Sequence, residues 1–149
     1  MPSGFEKSLS PRSIEAYFDI IKKKQAGTLN AMLEPQFVSC NETARELTLR
    51  FTVQPWQKNP EGHLHGGILA AMFDFTMGLL SCFVHAGPLT PTINLNINFL
   101  SVLKDGDDLI ICAKCDKHGR TLSFVSGAAW GESDENKRIA TATASFFCA

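Results

Sequence analysis

Three hydrophobic rhythms follow one another along this chain. Near the start, Ile14, Tyr17, Phe18 and Ile21 recur at helical spacing. Ser10 is suited to the N-cap of that helix and Pro11 to its first turn. Lys22, Lys23 and Lys24 suit its negative end, and Gly27 stops it. From Thr28 the period changes to two. Residues 29–40 and 44–55 read as strands, the second alternating Leu47, Leu49, Phe51 and Val53 with Thr48, Arg50, Thr52 and Gln54. A polar loop follows, residues 55–62. After residues 87–88 the two-residue period returns. Ile93, Leu95, Ile97 and Phe99 alternate with Thr92, Asn94, Asn96 and Asn98. Residues 108–116, 121–130 and 138–148 complete a run of four strands, separated by turn signals at Asp105-Gly106, at His118-Gly119 and in residues 131–136.

Between the two sets of strands lies a stretch of a different kind. His63-Leu64-His65-Gly66-Gly67 opens an apolar run, residues 68–86, that holds no Lys, Arg, Glu or Pro and one acid, Asp74. Its length suits a helix of about five turns. Being apolar nearly all round, that helix is expected to be buried. Short connections imply antiparallel pairing of the strands. The predicted architecture is therefore α+β: one antiparallel sheet curled around one long helix, in a single domain over residues 1–149, with residues 1–27 as lead-in and first helix.

Composition narrows the possible functions. A chain of 149 residues is long enough for a core without staples. A net charge of −1 makes no electrostatic case for nucleic acid or a membrane surface. The run at 68–86 has the minimum length of a membrane span, but Asp74, Thr76, Gly78, Ser81 and His85 within it argue for a core helix. The start of the chain has no basic segment followed by an apolar core, and the five cysteines are an odd number. Both point to a reduced, cytoplasmic protein. Cys112 and Cys115 form a C-x-x-C without a second pair, and on a strand they point to opposite faces, so no metal is expected there.

The start of the central helix presents unpaired N–H groups and a partial positive charge. Gly66 and Gly67 thus offer an oxyanion site with no side chain in the way. Asp74 lies eight residues beyond Gly66, about 12 Å along the axis. A general base must come within about 3 Å of its target, so one chain cannot bring both groups to one carbonyl. Two chains with antiparallel central helices can, and a twofold pair does so twice. Gly67, Ala71, Asp74, Gly78, Ser81 and His85 share one face of small and polar residues that would permit close approach. The same stripe also fits a packing seam against the sheet. Asp74 could be a structural acid, but no cation stands at helical spacing, and a lone buried carboxylate is costly. His65 is read either as a catalytic group or as an imidazole holding the loop. His63, a candidate substrate contact in that loop, also suits a structural or surface role, as do His85 and His118.

The string Asn59-Pro60-Glu61-Gly62-His63-Leu64-His65-Gly66-Gly67, with Asp74 seven residues after the second glycine, resembles the signature of hotdog-fold acyl-CoA thioesterases of the phenylacetate-pathway type. The likeness continues through Thr92 and Lys117-His118-Gly119-Arg120-Thr121 and covers about residues 30–149. It implies a long helix inside an antiparallel sheet, homodimers that often pair again, and hydrolysis of an acyl-CoA in a site shared by two protomers. It further implies Asp74 as general base or nucleophile, the Gly66 amide as the group that polarises the thioester carbonyl, Asn59 as an orienting group and Thr92 beside the water. No cofactor is implied. Lys117-His118-Gly119-Arg120 also forms a basic hairpin turn between late strands, which makes Arg120 a candidate contact for a coenzyme A phosphate, against a solvated turn. Glu61 and His63 depart from the smaller or apolar residues usual in the loop, which leaves the acyl group open. Two other readings are a dehydratase acting on hydroxyacyl thioesters, whose proline-flanked His is absent, and an acyl-CoA binder without catalysis.

Overall fold

The computed structural model describes residues 13–87 and 90–148. The first helix, α1, spans Ile14–Lys24, and Ser13 is its N-cap, its hydroxyl accepting from Ala16 N–H. The helix thus starts later than the Ser10-Pro11 signal, which lies outside the described residues. Ile14 and Phe18 turn inward, Tyr17 meets Phe83, and Phe18 meets Phe37.

A second, four-residue helix, α2 (Leu29–Met32), occupies the first part of the segment expected to be a strand. Thr28 caps it, and Glu34 then turns the chain with φ of 50° ahead of Pro35. This local capping overrides the weak alternation of residues 29–35, so the strand begins only at β1 (Gln36–Asn41). β2 (Glu46–Thr52) follows, then a 3₁₀ turn (Pro55–Gln57), then the central helix α3 (Gly66–His85). The remaining strands are β3 (Thr92–Phe99), β4 (Asp108–His118), β5 (Leu122–Gly131) and β6 (Asp134–Phe147).

All six strands form one antiparallel sheet in the order β1-β2-β4-β5-β6-β3. The Asp105-Gly106 signal therefore marks a turn in a crossover and not a hairpin. β3 lies at an edge against β6, and the chain crosses to set β4 beside β2. Buried Leu103 anchors the crossover. The β5–β6 turn is also tighter than the polar residues 131–136 suggest. The Asp107 carboxylate accepts from Ser133 Oγ at 2.6 Å and from Ser133 N–H, and this long-range bond lets β6 start at Asp134.

The sheet curls around α3. Met72, Phe73, Met77 and Leu80 are fully buried against Leu47, Leu49, Phe51, Leu109 and Ile111. At about 25 cal/mol per Å² of apolar surface, each such side chain stabilises the fold by about 1.5–3 kcal/mol. Gly127 allows the closest approach of helix and sheet, since a Cβ there would stand 3.2 Å from the Phe73 ring. α3 has the length and hydropathy of a membrane span, and more than half of it is buried inside this domain. It is not buried all round, however. Gly67 is exposed, and Ile68, Ala71, Asp74 and Gly78 are only partly covered.

Candidate active site

The helix start is built by the loop before it. Asn59 Oδ1 accepts from the N–H groups of Glu61 (3.1 Å) and His63 (3.0 Å). Asn59 N–H donates to His63 O at 2.7 Å, and Gly62, with φ of 83°, donates to Asn59 O at 2.9 Å. The Asn59 carbonyl oxygen therefore serves the loop, and its amide nitrogen is the end that can reach a ligand. Beneath the loop, fully buried Gln57 accepts from His65 N–H through its backbone carbonyl at 2.9 Å.

His65 is the N-cap of α3, and its Nδ1 accepts from Gly67 N–H at 2.9 Å. Ile68 N–H and Leu69 N–H both turn to His65 O at 3.0 Å. Three of the first four helical amides are thus occupied. Gly66 N–H is the remaining one, without a partner among the described residues. An Nδ1 that accepts leaves the proton of neutral His65 on Nε2. The geometry makes His65 a cap. It also removes the Gly67 amide from the donors that the glycine pair offers. The Phe99 ring lies over Gly66, 3.4 Å from where a Cβ would stand.

Two turns along α3, Asp74 is half-buried, and Thr92 Oγ1 donates to its Oδ1 at 2.6 Å. The short distance is that of a charge-assisted bond to a carboxylate. α3 supplies the acid and the first residue of β3 supplies the hydroxyl. Beside them opens a chamber of about 430 Å³, walled by Phe75, Gly78, Leu79, Cys82 and Phe146 and roofed by Tyr17 and Ile21 of α1. Lys24 lies at its rim, while Lys22 stands over the Phe18 ring. Burial, with the Cys82 thiol beside it, pushes the Tyr17 phenol above its usual range, so Tyr17 presents a neutral hydroxyl. Its place at helical spacing with Ile14 and Ile21 marked Tyr17 as inward-facing, but no signal in the sequence tied α1 to Asp74.

The other expected residues stand apart. Exposed His63 faces a second cleft, of about 290 Å³, with Lys58, Lys104 and Asp105. The Lys58 ammonium bonds Asp105 at 2.9 Å and holds that carboxyl below its usual range. Arg120 is exposed in the β4–β5 turn. That turn follows His118, which touches His85, so Arg120 belongs to the C-terminal end of α3. Within one chain the structure joins Asp74 with Thr92, and Asn59 with His63, His65 and the two glycines. It does not join these two groups to each other or to Arg120.

The stripe along α3 divides in the same way. Ser81 is fully buried, its Oγ 2.6 Å from Ser123 Oγ and accepting from Thr90 Oγ1 at 3.0 Å. This half is the packing seam against the sheet. The half from Gly67 to Gly78 is open. Cys112 and Cys115 are half-buried and buried, on opposite faces of β4 as their spacing requires.

Comparison with known proteins agrees with this arrangement. The family model described as the thioesterase superfamily matches residues 61–137, more than half of the chain. The human protein acyl-coenzyme A thioesterase 13 is 38% identical over 76 residues, which are 50% of this chain and 53% of that protein. The chain thus spans about half the length of the curated relatives it matches first. The Escherichia coli PaaI protein, from the phenylacetic acid degradation operon, shares the fold with a TM-score of 0.78 over 91% of this chain and 93% of that one, at 16% identity. A Streptococcus mutans protein solved bound to acetyl-CoA is 27% identical, with a TM-score of 0.68 over 77% of this chain and 88% of that one. A six-stranded antiparallel sheet wrapped on one long helix, entered through the Gly66-Gly67 turn, is the hotdog fold, and this chain belongs to the thioesterase superfamily.

Proposed function

We propose that this protein hydrolyses acyl-CoA thioesters in sites shared by two protomers. The observation that carries the reading is the division of labour along α3. The Gly66 N–H is unoccupied at the helix start, and an acid held by a hydroxyl stands about 12 Å further along the axis. A twofold pair with antiparallel helices sets Asp74 of one chain opposite the partner's Gly66. The open half of the stripe faces that approach. The exposed edge of β3 supports it too, since Ile93 and Phe99 are 56% and 58% exposed on a strand that pairs on one side only. The same antiparallel pairing carries the Arg120 turn of one chain toward the partner's residues 55–63, where the nucleotide end of coenzyme A would extend. Dimers of such dimers are part of the proposal.

In this reading the thioester oxygen receives the Gly66 N–H. The oxyanion that forms is stabilised by a donor and helix end already in place, which requires no reorganisation. Thr92 holds Asp74 Oδ1, leaving Oδ2 toward the carbonyl carbon. Asp74 takes a proton from water, the water oxygen bonds to carbon, the C–S bond breaks and the CoA sulfur leaves as the thiol after protonation. Direct attack by Oδ2, with water then hydrolysing the anhydride, uses the same atoms. Asn59 Nδ2 orients the carbonyl, His65 holds the Gly66 turn, and the chamber beside Asp74 takes the acyl group. The reaction needs water and no cofactor. Five free thiols suit a cytoplasmic protein.

A panel of acyl-CoAs with a thiol-reactive dye tests the reading. Thiol release that disappears in Asp74→Asn supports it. An enoyl absorbance without thiol release means a dehydratase, and binding without either means a carrier. Either result ends the proposal.

A further inference from the structure

Three side chains that the hydrolysis does not use meet at the far end of α3. His85 is the last residue of α3, His118 is the last of β4, and Cys148 directly follows β6. One ring nitrogen of each histidine and Cys148 Sγ all lie within 4.8 Å of one another. His85 Nδ1 and His118 Nε2 are 3.3 Å apart, with the rings tilted by 59°. That separation is a long hydrogen bond between the two rings. It equals the edge of a tetrahedron around an ion bound at about 2.0–2.1 Å to each nitrogen, which is about 3.3–3.4 Å.

The three residues are fixed from different directions. Cys148 is 1% exposed, and its N–H bonds Thr121 O at 2.8 Å. The His85 ring lies so close to Gly87 that a Cβ there would stand 2.8 Å from Cδ2. Helix end, hairpin and last strand thus converge on one point. Along the axis this point is eleven residues, or about 16 Å, from Asp74, so it is separate from the proposed chemistry.

We propose that His85, His118 and Cys148 form a metal site of the zinc class, with three protein ligands and a fourth position for water. Two imidazoles and a thiolate suit a borderline divalent ion and disfavour magnesium or calcium, which take oxygen ligands. The hydrogen bond between the rings puts a proton on one of the two facing nitrogens; on binding that imidazole changes tautomer, its proton moving to the other ring nitrogen through solvent, so that both facing nitrogens give lone pairs. The Cys148 thiol, which donates to Phe146 O at 3.8 Å, gives up that bond, loses its proton to solvent and binds as thiolate. The Arg45 guanidinium, whose charge reaches His118, opposes a cation here, and the thiolate offsets it. A bound ion would tie the end of α3 to the Arg120 turn and to the end of β6. The ligands are 33 and 30 residues apart in the chain, so no spacing motif announces them.

Cobalt(II) is the probe. The full chain, stripped with a chelator, should bind one equivalent. It should show the intense visible bands of a tetrahedral site and a near-ultraviolet thiolate band, both lost when zinc is added. Cys148→Ser should lose the thiolate band. Cys148→Ser and His118→Gln should each weaken zinc by at least about tenfold, the lower end of what even a supporting partner of a metal ligand is worth. Cys40→Ser, at an exposed thiol, should change nothing. Zinc should raise the Tm of the parent more than that of the variants at the same concentration. If Cys148→Ser does not fold, His118→Gln decides alone. Absence of the tetrahedral spectrum at stoichiometric cobalt, or zinc affinity unchanged in His118→Gln, overturns the site.

Discussion

The two halves of α3 carry the same kind of stripe and meet opposite fates. Gly67, Ala71, Asp74 and Gly78 form the first half, Ser81 and His85 the second. In the second half Ser81 is sealed against Ser123 and Thr90, and every hydroxyl there bonds within the chain. In the first half the residues are open, and Asp74 is held by one hydroxyl from an edge strand. A small polar residue in the sealed half contributes to stability. One in the open half is, in the proposed function, left for a second chain or a substrate. The sheet makes the difference: β5 passes over the end of the helix, while near Gly66 the sheet stops at β3.

The largest effect that would break this contrast is at Asp74. Asp74→Asn should fold with an unchanged Tm and lose kcat by about two to four decades, as loss of a general base does. Near-parental turnover would make Asp74 a structural acid and the open half merely a gap. Single turnover in H₂¹⁸O then separates the two routes, because label incorporated into Asp74 marks direct attack.

Next comes the shared site. Gly66→Pro removes the N–H itself and should be as inactive as Asp74→Asn. Mixed and allowed to exchange subunits, the two should recover about a quarter of parental sites, since each heterodimer has one site with both defects and one with neither. Heterodimers confirmed by mass but inactive would refute the antiparallel arrangement.

Thr92→Ala tests the hold on Asp74. Removing a hydrogen bond to a charged group, worth about 1.5–3 kcal/mol, should lower kcat by about ten- to a hundredfold with little change in KM. An equal loss in KM alone would place Thr92 in binding. Arg120→Ala should raise KM for acyl-CoA several-fold at constant kcat, as loss of uniform binding does, and less so at high salt. No change at either ionic strength dismisses the phosphate contact.

The smallest effect on activity, and the counterpart from the sealed half, is Ser81→Ala. It leaves the buried Ser123 hydroxyl without its Ser81 partner and Thr90 with only the Cys82 thiol, and should lower stability by about 1–3 kcal/mol. With kcat unchanged, thermal unfolding would show the loss. A fall in kcat as large as that of Thr92→Ala would erase the distinction between the halves.

Much of this molecule was legible before any coordinates. Strict alternation at Leu47 to Val53 and Ile93 to Phe99 marks half-buried strands, because a pleated chain turns every second residue to one face. The long run without Lys, Arg, Glu or Pro marks the central helix, and its glycine turn and single acid mark the candidate site. The rise of a helix alone shows that Gly66 and Asp74 cannot meet in one chain. These are properties of a chain and its neighbours in sequence, and periodicity reports them directly.

What periodicity cannot report is which surface covers a given face. Residues 29–32 coil into α2 because Thr28 caps them locally, against a weak alternation. The crossover after β3, the Asp107 bond that tightens the Ser133 turn and the seal over Ser81 all depend on partners more than twenty residues away. The choice among the first amides of α3 is local, made by a cap two residues away, but periodicity does not show it either. The His65 ring takes the Gly67 amide and the His65 carbonyl takes those of Ile68 and Leu69, which leaves the Gly66 amide without a partner among the described residues. His85, His118 and Cys148 are brought within a few ångströms by three separate elements ending at one place. The pattern of residues determined that a sheet wraps this helix. The tertiary fold decided where along the helix the wrapping ends, because that depends on strand order and register, which long-range pairing sets and local spacing does not encode.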